Sequence, residues 1–134
     1  MIKETVTYTD FNGNERTDSF YFNLTEAELV ELEVGVEGGL KAILEKIIKE
    51  DDQRQIMEYF KKIVLMAYGE KSADGRYFEK SDKIRNGFAP TEAYSKIFMK
   101  MSTDANAASK FIKGILPDKY SSQANIPNAL PENN

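Results

Sequence analysis

The spacing of apolar residues changes once along this chain, and that change dictates a mixed fold. Between Ile2 and Phe22 they alternate with polar residues, Ile2, Val6 and Tyr8 in one run and Phe20 and Phe22 in the next. This is the two-residue period of strands with one buried face. Beyond Thr25 they recur every three or four residues, the period of helices that pack by one side. The pattern predicts a mainly α domain with a small N-terminal β-hairpin, an α+β arrangement of about five or six helices. The expected globular domain spans residues 1–117, with the hairpin in 1–23 and helices in 25–117. Residues 118–134, polar and interrupted by Pro127 and Pro131, read as a flexible tail.

The hairpin register follows from the same alternation. A two-residue Asn12-Gly13 loop would place Val6 opposite Ser19 and divide the apolar residues between two faces. A three-residue loop, Phe11 to Gly13, pairs Asp10 with Asn14 and gathers Val6, Tyr8, Phe20 and Phe22 on one face, with Gly13 left-handed. That register is expected. The same loop, Asp10-x-Asn12-x-Asn14, copies the first ligands of a helix-loop-helix calcium site. Its glycine stands at the fourth position instead of the sixth, and Tyr21 occupies the place of the bidentate glutamate, so a plain turn is the better reading.

Helix signals follow in order. Thr25-Glu26-Ala27-Glu28 is a capping box, with Leu24 and Leu29 as its hydrophobic staple, and Leu29, Val30 and Leu32 follow before Gly35 and Gly38-Gly39 interrupt. Leu40, Ile43, Leu44, Ile47 and Ile48 mark a second helix. A third, capped by Asp51 or Asp52, carries Ile56, Tyr59, Phe60, Ile63 and Ala67, with Met57, Val64 and Tyr68 beside them and Leu65 on the opposite side. Turn residues fill 70–75, Arg76-Tyr77-Phe78 has strand character, and Ser81 caps a short helix through Arg85 that Gly87 ends. Pro90-Thr91-Glu92 opens a helix bearing Tyr94, Ile97, Phe98 and Met101, with Met99 pointing away. The last helix, capped by Asp104 or a neighbouring hydroxyl, carries Ala105, Ala108, Phe111, Ile112 and Ile115 before Gly114 and Pro117 close it.

Composition narrows the chemistry. The 134 residues include no histidine and no cysteine, which removes the near-neutral proton carrier, the soft metal ligands and the thiol nucleophile. Acids such as Glu28, Glu31 and Glu33, or Glu50, Asp51 and Asp52, fall at caps and on solvated faces, and no spacing suggests an acid and a base converging on a substrate. No enzyme, cofactor or metal is expected. A net charge of −4, with 18 basic residues interspersed among 22 acidic ones, disfavours nucleic acid. No apolar run reaches membrane-spanning length, and the segment after Met1 lacks the apolar block of a secretory signal, so a cytoplasmic chain without membrane association is expected.

Four segments carry a resemblance: Tyr21 to Glu28, Ile63 to Lys71, Phe78 to Ser81 and Thr91 to Met99. In that order, across about residues 1–117, the chain resembles the tail assembly chaperones of long-tailed, siphovirus-type phages and prophages of Gram-positive bacteria. The resemblance implies a protein that binds the tape measure protein, keeps it soluble and assists tail tube assembly around it. It implies action in the cytoplasm of the bacterial host and absence from the mature virion, with no catalytic or cofactor residues. In the wider class a frameshifted longer form recruits the tail tube protein, which would make this chain the short form; self-association is left open. The alternative is a structural tail or head-to-tail connector protein of the virion. Partner contacts are assigned from the helical wheel to Leu65, Phe88 and Met99, which lie off the best apolar stripes or in loops.

Overall fold

In the computed structural model, which describes residues 1–35 and 53–117, the opening alternation becomes two antiparallel strands, β1 (Ile2–Thr9) and β2 (Glu15–Phe22). Ile2 pairs with Phe22, Val6 with Asp18 and Tyr8 with Arg16, the register of the three-residue loop. Asp10 N donates to Asn14 O at 2.8 Å, and Gly13 sits at φ 86°, where a side chain would be strained. The Asp10 carboxylate is engaged in holding this turn. Its Oδ1 accepts from the backbone N–H groups of Asn12 and Asn14, both at 2.9 Å, and its Oδ2 accepts from Arg16 Nε at 3.0 Å.

The sheet is larger than a hairpin, which corrects the expectation of a mainly α domain. Two further strands, β3 (Tyr68–Lys71) and β4 (Phe78–Glu79), extend it to four strands in the order β1-β2-β3-β4, every neighbour antiparallel. With five helices among the described residues, the architecture is an α+β mix. The physical reason lies at Tyr68. It continues the helical stripe of Ile63, Val64 and Ala67 in sequence, yet the helix ends at Ala67 and Tyr68 pairs with Phe22. Gly69, a poor helix former, comes next and lies opposite Tyr21. A Cβ at Gly69 would stand 2.7 Å from Cε2 of Phe78, so the bare backbone gives that ring its place. The crossover is sealed by Asn23 N donating to Ala67 O at 2.8 Å.

The helices are α1 (Glu26–Gly35), α2 (Gln53–Ala67), α3 (Asp82–Phe88), α4 (Glu92–Thr103) and α5 (Ala105–Ile115). Their starts obey the capping signals. Glu28 N donates to Thr25 Oγ1 while Thr25 N donates to Glu28 Oε1, and Ser81, Thr91 and Asp104 accept from the first turns of α3, α4 and α5. Helix α3 passes through Gly87 and ends at Phe88, later than Arg85. The helix expected over Leu40 to Ile48, the Gly38-Gly39 connector, the Asp51 or Asp52 cap and the tail 118–134 lie outside the described residues.

Packing explains why the elements converge. Phe22 is fully buried and meets Phe111 of α5 edge-on at 5.2 Å, while Tyr68 stacks on Phe88 with centroids 3.9 Å apart. Leu24 N donates to Ile115 O at 2.8 Å, tying the exit of β2 to the end of α5. At the sheet's other end α4 is laced to β1: Lys96 Nζ donates to Thr7 O at 2.8 Å and Lys100 pairs with Glu4 at 3.1 Å.

Candidate partner-binding surface

Helix α1 is fixed at its first turn by a lysine that the capping box does not reveal. Lys80, immediately after β4, donates from Nζ to Asn23 O at 2.6 Å and to both carboxylate oxygens of Glu28 at 2.9 Å. Glu28 is the capping-box acid, so one carboxylate serves both the helix start and a tertiary tie. Only 10% of the Lys80 side chain is exposed, and its ammonium lies 5.7 Å from the Phe78 ring centroid. Burial pulls the Lys80 ammonium below its ordinary value despite the attraction of Glu28. For Glu28, burial pushes upward, but hydrogen bonds from Lys80 and the Thr25 N–H outweigh it and leave the carboxyl below its usual range. The arrangement is a charged strut, because the three acceptor oxygens around Nζ leave it positioned for holding α1, not for attack.

Beyond that strut α1 is apolar on two sides. Leu29 and Leu32 are buried, whereas Val30 is 49% and Val34 82% exposed. At 100° per residue the two valines, four apart, share one face that points away from the two leucines. A surface helix ordinarily turns charge to solvent. Fully burying a valine is worth about 1.5–3 kcal/mol, so covering this pair would supply a useful part of a protein–protein contact. The helix is also acidic, with Glu26 and Glu28 in its first turn and Glu31 exposed on it.

Residues 1–133 match the profile of a family described as phage tail assembly chaperone. The chain belongs to that family. Among curated proteins and among solved structures no match was found.

The residues assigned from the helical wheel of this tail assembly chaperone do not form one patch. Leu65 is half-buried and packs against the core, and its carbonyl accepts from Arg85 Nε at 3.1 Å, so it is no open docking residue. Phe88 requires correction. It is 4% exposed, stacks on Tyr68 and meets Phe20, Phe22 and Tyr94, which makes it a core residue instead of a loop residue open to a partner. Met99 does face outward, 50% exposed on α4. Val30 and Val34 were legible as an i, i+4 pair behind a well-marked helix start, but grouping Val30 with Leu29 and Leu32 concealed their opposite orientation.

Proposed function

We propose that this chain binds helical segments of a phage tape measure protein, keeps that protein soluble and assists tail tube assembly around it. The observation that carries the reading is the family match over residues 1–133. The valine face of α1 supports it, because a long helical chain awaiting assembly needs its apolar stripes covered, and helix-against-helix docking does this reversibly. The work is binding without a covalent step. It takes place in the host cytoplasm and ends before the particle is complete, with residues 1–117 as the folded unit.

The test is retention of tape measure fragments from the same phage by the immobilised chain. Wild type is expected to hold at least one helical fragment at micromolar concentration. The Val30→Ser/Val34→Ser variant is expected to bind roughly tenfold or more weakly, equivalent to about 1.4 kcal/mol, with little change in Tm because both positions are exposed. Retention of no fragment by wild type overturns the proposal.

A further inference from the structure

Strand β1 ends the sheet on one side, so one of its edges has no strand beside it among the described residues. The turn decides which backbone groups line that edge. Asp10 N donates to Asn14 O, which makes Asp10 and Asn14 a hydrogen-bonded pair, and such pairs alternate with non-bonded ones along an antiparallel ladder. Tyr8, Val6, Glu4 and Ile2 therefore turn their N–H and C=O groups toward β2, while Thr9, Thr7, Thr5 and Lys3 turn theirs outward. The hydroxyl contacts of Thr5 with Ser19 and of Thr7 with Thr17 agree, since side chains approach most closely at non-bonded pairs. Among the described residues these outward groups have one partner: Lys96 Nζ donates to Thr7 O at 2.8 Å. That lysine reaches across from the exposed flank of α4, whose Ala93, Ile97 and Met101 turn into the core.

An open edge eight residues long is a template for a further strand. The sequence of β1 fits a second copy of itself in one register. Outward groups must face outward groups, so in an antiparallel pair of β1 strands the two-fold axis passes through a residue. An axis at Lys3 opposes two lysines and an axis at Glu4 opposes two glutamates, each like charge against like. An axis at Val6 sets Glu4 against Tyr8 and leaves Ile2 beyond the pairing, and an axis at Thr7 leaves the first half of the strand unpaired. With the axis at Thr5, Lys3 faces Thr7, Glu4 faces Val6, and Ile2 faces Tyr8, two apolar side chains that this chain buries only in part. No like charges are opposed in that register.

We infer that two copies of this chain pair through β1 with Thr5 opposite Thr5, joining their sheets into one antiparallel sheet, and that Lys96 is the latch on that edge. The Lys3 N–H of the second copy takes the place of Lys96 at Thr7 O, and the two lysine charges then lie close together, so Lys96 must withdraw for the edge to pair. The pairing does not depend on the function proposed above.

The test is sedimentation equilibrium of the full chain from micromolar to millimolar concentration. Wild type is expected to show a reversible dimer, and Lys96→Ala a dimer about tenfold tighter, because the competitor for Thr7 O and its charge are gone. Thr5→Lys and Thr5→Glu each set like charges at the axis, so each alone is expected to stay monomeric. Both should keep the circular dichroism of wild type, since Thr5 is exposed. Mixed in equal amounts the two variants are expected to form a heterodimer, with lysine facing glutamate across the axis. A surface elsewhere on the chain, or another register, would give no such rescue. A monomeric wild type, an unchanged association constant in Lys96→Ala, a dimer of either Thr5 variant alone, or a mixture that stays monomeric overturns the proposal.

Discussion

On the outer face of β1 and β2 the hydroxyls meet in pairs across the strands, Thr5 with Ser19 at 3.0 Å and Thr7 with Thr17 at 2.9 Å. At the far end of the same sheet, Glu70 and Glu79 oppose each other without partners among the described residues. The hairpin obeys every local rule: alternation, turn chemistry and cross-strand pairing all favour one register. The region from Tyr68 to Phe88 obeys fewer of them. Where a sequence departs from local consistency yet the chain still folds, a functional demand is the physical expectation. By that criterion the hairpin reads as scaffold; the partner recognition proposed above is assigned to the exposed Val30 and Val34 face of α1.

The largest effect that would break this division concerns Phe88. Its aromatic contacts bind β2, β3 and α4 together, so Phe88→Ala should cost about 3–5 kcal/mol in urea denaturation, while Met99→Ala should stay within about 0.5 kcal/mol. A Phe88→Ala loss below about 1 kcal/mol would return Phe88 to the surface. Next in size is the strut under α1. Lys80→Met strands a carboxylate and a carbonyl, at a cost of about 1–3 kcal/mol.

The pH dependence of that cost has a definite sign. Glu28 ionises below its ordinary value of 4.5 in the folded chain, so its contribution is complete above that value and is lost as pH falls through the lowered one. The gap between wild type and Lys80→Met should therefore narrow from pH 7 toward strongly acidic pH. A constant gap would mean that Lys80 acts through packing alone. The smallest effect lies on the scaffold: Thr17→Val, on an exposed strand face, should change stability by less than about 0.5 kcal/mol. A loss above about 1 kcal/mol would make the hydroxyl pairs structural.

Sequence carried the hairpin because its information is local. Val6, Tyr8, Phe20 and Phe22 need only one another and Gly13 to choose a register. Thr25, Ser81 and Asp104 were readable as caps for the same reason, each bonding within one turn of itself. Tyr68 was not readable. Its strand partner Phe22 lies 46 positions earlier, and nothing within a helical window announces that pairing will interrupt the stripe at Ala67. Lys80 was hidden likewise, since its acceptors at Asn23 and Glu28 are 57 and 52 residues away. Glu70 reads as turn composition until β4 arrives opposite it.

Amide hydrogen exchange of the full chain, with and without a bound tape measure fragment, tests the division of labour most directly. Binding should slow exchange along residues 26–35 while leaving 3–9 and 15–21 unchanged. Protection concentrated on the hairpin, with α1 unaffected, would contradict it.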